Sequence, residues 1–167
     1  SCVVRDFEVE DFIEKEFLTS ISQGNPGIIG FSCMTPHIKN AAVLAKIIKA
    51  HFPHILTVVG GVHGSAIPEQ TLHEFPEFDV VVMGEGEETL VELYGACLNN
   101  RMDHVPGIAY RTGKNRVYVN QRRPMIENLD SIPFPDRTLI NIENYRKSHV
   151  SRGHSRKTKR IAEITCS

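Results

Sequence analysis

The sequence predicts an α/β domain built on a parallel sheet with helices on both faces. Three short apolar runs carry this reading: Gly27-Ile28-Ile29-Gly30-Phe31, Ile55 to Val59, and Phe78-Asp79-Val80-Val81-Val82-Met83. They lack the in–out alternation of half-exposed strands, so both faces of each should be covered. Stretches of helical periodicity separate them, and strand–helix alternation belongs to parallel architectures.

Taken in order, Cys2-Val3-Val4 reads as one short strand. A helix is expected from about Val9 to Ser22, where Phe12, Ile13, Phe17 and Ile21 recur at threes and fours, and Gly24-Asn25-Pro26 stops it. After the first apolar run, Thr35-Pro36 predicts a helix start, with Thr35 as N-cap and Pro36 at the first helical position. That helix runs to about His51 and turns Ile38, Ala41, Ala45 and Ile48 inward, with Leu44 and Ile47 widening the face. The second run ends in Gly60-Gly61 and precedes a short helix from Pro68 to Phe75. The third ends in Gly84 and leads to a helix from Glu87 to Leu98, its apolar set being Leu90, Val91, Leu93, Tyr94, Cys97 and Leu98. Gly107 to Arg111 and Arg116 to Asn120 flank Thr112-Gly113-Lys114-Asn115, a hairpin signal. Proline-rich residues 121–137 read as an extended connector. From Arg146 to Arg160 there are seven Lys/Arg, two His and no acid, which reads as a solvated linker or a phosphate-contacting arm. The boundaries expected are 1–105 for the α/β domain, 106–122 for the hairpin and 123–167 for a linker.

Composition narrows the class. The 167 residues suit one domain with a core needing no staple, and 41% hydrophobic with 23% charged residues is ordinary for a globular chain. The longest apolar stretch, Ile55 to Val62, falls far short of the ~20 residues that span a bilayer. The first twenty residues are acidic, with no signal-type apolar core. A net charge of −1 supplies no general attraction to nucleic acid or membrane, so neither is expected as a partner. Cysteines 2, 33, 97 and 166 are too far apart for metal knuckles or redox pairs and are expected as free thiols in a reducing, cytoplasmic setting.

Ligands of open parallel sheets bind at the carboxyl ends of the strands. Those ends read Ser32-Cys33-Met34-Thr35, Gly60-Gly61-Val62-His63-Gly64 and Gly84-Glu85-Gly86-Glu87. Two of these loops are glycine-rich, which lets a bound group approach backbone closely; the alternative is that the glycines only make tight turns. Gly84-Glu85-Gly86-Glu87-Glu88-Thr89 resembles part of a dinucleotide fingerprint, but its third glycine is Thr89 and its carboxylates would repel a pyrophosphate. They suit a helix start instead. His63 should face a ligand, as a hydrogen-bonding residue rather than a metal ligand, while His37 and His73 fall at helix surfaces. No catalytic set and no metal-ligating cluster is readable.

Taken together, the loops resemble the cobalamin-binding domain of cobalamin-dependent radical SAM enzymes, the group that includes anaerobic magnesium-protoporphyrin IX monomethyl ester cyclases and radical SAM methyltransferases. The resemblance rests on Gly30-Phe31-Ser32 with Thr35, Val59-Gly60-Gly61-Val62-His63, and Asp79-Val80-Val81-Val82 with Gly84 to Leu90. Gly107 to Arg111, Asn128 to Arg137 and Tyr145 extend it, so it covers roughly residues 26–145. It implies a flavodoxin-like, Rossmann-like three-layer fold with strand order 2-1-3-4-5. One strand and one helix would precede residue 1, unless Cys2-Val3-Val4 takes that strand's place. It further implies cobalamin as cofactor, with Ser32, Met34 and Thr35 against the corrin or its nucleotide tail. Gly60 and Gly61 would let the tail pass, and Val62, His63, Gly84, Glu85, Gly86 and Glu87 would line the corrin side. The DxHxxG motif, whose His ligates cobalt from below, is absent, which implies cobalamin held base-off and His-off. Ile164-Thr165-Cys166-Ser167 resembles the strand entering a radical SAM barrel. By this resemblance the chain is a non-catalytic part of a methyltransferase or oxidative cyclase, and the [4Fe-4S] cluster and S-adenosylmethionine belong to a following radical SAM domain. The alternatives are a flavodoxin-like domain for a flavin or nucleotide, which needs hydroxyl-rich phosphate loops that only Ser32 and Thr35 approach, and a non-catalytic interaction domain.

Overall fold

The structure is a computed structural model describing residues 2–7, 9–99, 101–113 and 116–147. Two compact units divide the chain, one of residues 21–132 and one of residues 1–20 with 133–167.

The unit of residues 21–132 contains a five-stranded sheet in the order β1 (Ile28–Ser32), β2 (Leu56–Gly60), β3 (Val80–Val82), β4 (Ile108–Thr112), β5 (Arg116–Val119). The first three strands are parallel, with Ser32 opposite Gly60 and Val58 opposite Val80. The predicted hairpin forms and continues the same sheet, β4 running antiparallel to both β3 and β5. This is the expected α/β class, mixed where the hairpin joins; the strands follow sequence order with β1 directly against β2, not the 2-1-3-4-5 order with one central strand missing.

Side chains of β2 and β3 alternate between two cores. On one face Val59, Val81 and Ala109 pack with Ile38, Ala41, Ala45, Leu72, Phe75 and Phe78. These come from α2 (Ile38–His51), α4 (Pro68–Glu74) and the chain just after it. On the other face Val58, Val80, Val82 and Ile108 pack with Leu93 of α5 (Glu87–Asn99). β-Branched residues dominate because these strands are buried on both sides. The helix face read on α2 is the buried one, and full burial of a residue such as Ile48 contributes about 1.5–3 kcal/mol.

Several local expectations are corrected. Residues 2–4 form no strand, and none of the described residues pairs with the outer edge of β1. The first helix, α1, spans Glu14–Gly24 rather than starting near Val9. Phe12 precedes it and packs its ring against Phe7 and Phe17 at centroid distances of 5.4 and 5.6 Å. Thr35 is not an N-cap. A 3₁₀ turn, Thr35–His37, precedes α2, and Met34 stands at its cap position with no side-chain hydrogen bond. Before α4 lies an unexpected short helix, α3 (Val62–Ala66). Leu90, Val91, Tyr94 and Leu98 of α5 are exposed, while Thr89 and Leu93 are its buried residues. Residues 142–147 form α6 (Ile142–Lys147), inside the stretch 123–167 expected as a linker. Lys114-Asn115, the basic stretch from 148 and the Ile164–Ser167 strand lie outside the described residues.

Candidate functional site

The carboxyl ends of β1, β2 and β3 bring the three predicted loops side by side. Cys33 N–H donates to Gly60 O at 3.0 Å, which carries the β1–β2 ladder one step past Ser32. Gly61 has φ 92° and ψ −173°, a conformation open essentially to glycine alone. A Cβ there would lie 2.6 Å from Cys33 O, so the first and second loops touch through backbone. The Cys33 side chain is buried, and burial pushes its thiol up. It therefore stays protonated and unreactive at neutral pH.

His63, in the first turn of α3, is only 7% exposed. Its Nδ1 lies 3.3 Å from Thr35 Oγ1, a contact joining the second loop to the first. Its Nε2 is buried without a hydrogen-bond partner among the described residues. An unpaired buried polar atom costs about 1–3 kcal/mol, so a binding partner for it would be favoured. His63 was expected to face a ligand; in the structure its side chain is largely buried at the end of β2.

The third loop is held by side-chain contacts that the sequence pattern does not show. Gly84 N–H donates to Ser65 Oγ at 2.9 Å, linking the end of β3 to α3. Gly84 has φ 73°, and the space its Cβ would occupy is open. Glu85 Oε2 accepts from Ile126 N–H at 2.7 Å, so this carboxylate holds the chain returning from β5. Arg123 fastens the same returning arm to α5. Its Nε donates to Thr89 Oγ1 at 3.0 Å, and its terminal nitrogens lie 3.1 Å from Glu88 Oε2 and 2.5 Å from Glu92 Oε2. Glu88 thus serves an ion pair beyond the helix-start role expected of it. Glu87 and Glu88 lie in the first turn of α5, where negative charge suits the helix dipole.

Between these loops lies a shallow depression of about 540 Å³ lined by Gly61, Val62, Ser65, Ala66, Gly84 and Arg122. Three predicted site residues, Gly61, Val62 and Gly84, line it. Ser32, Met34, Thr35 and Gly60 stand in the adjoining first loop and strand ends, with Met34 half exposed. Glu85 and Gly86 are partly buried beyond it and Glu87 is exposed. Ser65, Ala66 and Arg122 are additions. Nothing in their local pattern reveals them, because α3 is one turn long and Arg122 returns from a distant hairpin. Among the described residues no three His, Cys, Asp or Glu side chains gather as a metal site, and no helix is long and apolar enough to cross a membrane.

A parallel α/β sheet with converging strand-end loops and a glycine-lined depression defines a ligand-binding domain of the open-sheet class. The chain belongs to the B12 binding domain family, whose sequence model matches residues 1–94. It is 33% identical over 145 residues to an uncharacterized methyltransferase of Pyrococcus horikoshii, covering 86% of this chain and 31% of that protein. It is 35% identical over 144 residues to the anaerobic magnesium-protoporphyrin IX monomethyl ester cyclase of Rubrivivax gelatinosus, covering 84% of this chain and 26% of that protein. The chain thus spans less than a third of the length of these relatives. Among solved structures it resembles the cobalamin-dependent S-adenosylmethionine radical enzyme OxsB with aqua-cobalamin and S-adenosylmethionine bound. The TM-score is 0.57 at 26% identity, over 68% of this chain and 16% of that one.

Proposed function

We propose that this chain cradles cobalamin at the carboxyl ends of β1, β2 and β3, as one module of a larger radical SAM enzyme. The observation that carries the proposal is the junction at Gly61. Backbone contact there leaves the second loop free of side chains where it meets the first, and His63, two residues on, joins the same loops through Thr35 Oγ1 and carries a buried Nε2 with no partner among the described residues. The residues fit the group. Gly84 offers open space, Ser32 and Thr35 offer hydroxyls, and Val62 and Met34 offer exposed apolar surface suited to a macrocycle face.

Bound cobalamin supplies a cobalt centre whose axial ligation sets its redox behaviour and group transfer. This chain's own part is to bind and orient. Ser32, Met34 and Thr35 would contact the corrin or its nucleotide tail, and Gly60 and Gly61 would let the tail lie against backbone. Val62, His63 and the Gly84 to Glu87 loop would line the corrin side. Without a DxHxxG motif, no histidine of this chain would ligate cobalt from below. Methyl transfer or oxidative cyclisation, with the [4Fe-4S] cluster and S-adenosylmethionine, would belong to another domain of the full-length protein, reached through residues 123–167.

A titration of the purified chain with hydroxocobalamin, read by visible absorption, tests this. The expected result is saturable binding with a spectrum free of nitrogen ligation from the protein. A folded chain that leaves the corrin bands unchanged overturns the reading.

A further inference from the structure

We infer that Arg122 is a ligand-contact residue, donating from the rim of the depression to an oxygen acceptor on bound cobalamin. The inference rests on the cobalamin reading above. Arg122 lies outside the stretch matched by the family model, residues 1–94, and comes instead from the arm that returns from β5.

The arm's geometry directs it. Pairing with β4 continues past β5 to Gln121, whose carbonyl accepts from Gly107 N–H at 2.8 Å, and the next two side chains reach different partners. Arg123 takes the side facing α5, where Thr89, Glu88 and Glu92 saturate it and leave its side chain only 12% exposed. Glu85 holds the arm three residues further on, through Ile126 N–H. Arg122 is thereby turned to the depression, which it lines together with Gly61, Val62 and Gly84.

Its guanidinium is positioned but not consumed. Nη2 donates to Ser65 O at 2.9 Å, and no other hydrogen bond or ion pair engages it among the described residues. Ser65 in turn accepts from Gly84 N–H through its hydroxyl. One serine therefore ties the cation to the loop that begins at Gly84. A guanidinium has five donors in a fixed fork, so four remain for a ligand. Cobalamin offers acceptor oxygens of two kinds, the amide carbonyls around the corrin and the phosphodiester of its nucleotide loop. Charge-assisted hydrogen bonds to either are stronger than neutral ones.

The test is the affinity of Arg122→Ala and Arg122→Gln for hydroxocobalamin and for cobinamide, which lacks the nucleotide loop, alongside thermal unfolding of each variant. Arg122→Ala should bind cobalamin roughly five- to tenfold more weakly, with its melting temperature unchanged, because the residue is exposed. Arg122→Gln can keep a donor for Ser65 O, and it should lose affinity equally if the lost contact is to the ligand. An equal loss toward cobinamide identifies amide carbonyls as the acceptor; a loss confined to cobalamin identifies the phosphodiester. Variants that bind both ligands as tightly as the parent chain overturn the inference while leaving the cobalamin reading intact. If the parent chain itself binds no cobalamin, the reading fails and this inference with it.

Discussion

The two ends of the parallel strands in the unit of residues 21–132 are built on opposite plans. At the amino ends, the polar groups around Asp79 are consumed internally, although Arg111 Nε of β4 is buried there with no hydrogen-bond partner among the described residues. Asp79 Oδ2, just before β3, accepts from Thr57 N–H at 2.8 Å, lies 2.9 Å from Thr57 Oγ1 and pairs with Lys49 Nζ of α2 at 2.5 Å. Lys49 also donates to Ile55 O at 2.7 Å. One carboxylate thus ties two strands and a helix together. At the carboxyl ends, polar groups are left over. His63 Nε2 is buried and unpaired, Arg122 is mostly unengaged, and glycines stand where side chains would fill the space. The carboxyl ends thus join open donors to glycine-lined space, which suits the ligand site proposed there.

The contrast is broken most severely at Gly61. Gly61→Ala would place a Cβ 2.6 Å from the Cys33 carbonyl at a φ of 92°, so the loops must separate. A loss of about 3–5 kcal/mol is expected from backbone strain and overpacking together. Urea unfolding measures it. A variant as stable as the parent chain would show that the Cys33 loop moves away freely, and that the loop junction is not a fixed part of the site.

At the opposite end, Asp79→Ala should destabilise by about 2–3 kcal/mol, because it leaves the Thr57 N–H without this acceptor and removes the counter-charge of Lys49. The same denaturation series checks this. Cobalamin affinity, measured under conditions where the variant remains folded, should be unchanged. An affinity loss matching the stability loss would mean that the two ends are coupled rather than independent.

How much of this was legible in sequence follows the same division. The three buried strands, the inner face of α2, the hairpin and the strand-end loops could all be read, because period and glycine placement are local signals. The anchors could not. Asp79 reads as one polar residue opening an apolar run, yet its partners lie 22 and 30 residues away. Arg122 and Arg123 read alike, and only the return of the hairpin assigns one to an ion-pair cluster and the other to the rim. On α5 the apolar residues cover more than one face, so periodicity does not show that Leu93 is buried while Val91 and Leu98 are exposed. Thr35 had the residue type of an N-cap, but its hydroxyl lies beside His63, a pairing 28 residues apart.

The smallest expected effect is also the sharpest test of what the open end does. His63→Ala removes the unpaired Nε2 together with the Thr35 contact. It should weaken cobalamin binding about two- to twelvefold, the range for one hydrogen bond of roughly 0.5–1.5 kcal/mol, and leave the visible spectrum of the bound cobalt unchanged. The amide variants separate the two nitrogens. Asn places its polar atoms near the Nδ1 position and can keep the Thr35 contact, whereas Gln reaches the Nε2 position. If the ligand supplies the missing partner, His63→Gln should bind more tightly than His63→Asn. The reverse order would assign the imidazole to joining the loops, with its inner nitrogen a tolerated cost. A change in the cobalt spectrum in His63→Ala would contradict both and show that this imidazole reaches the metal.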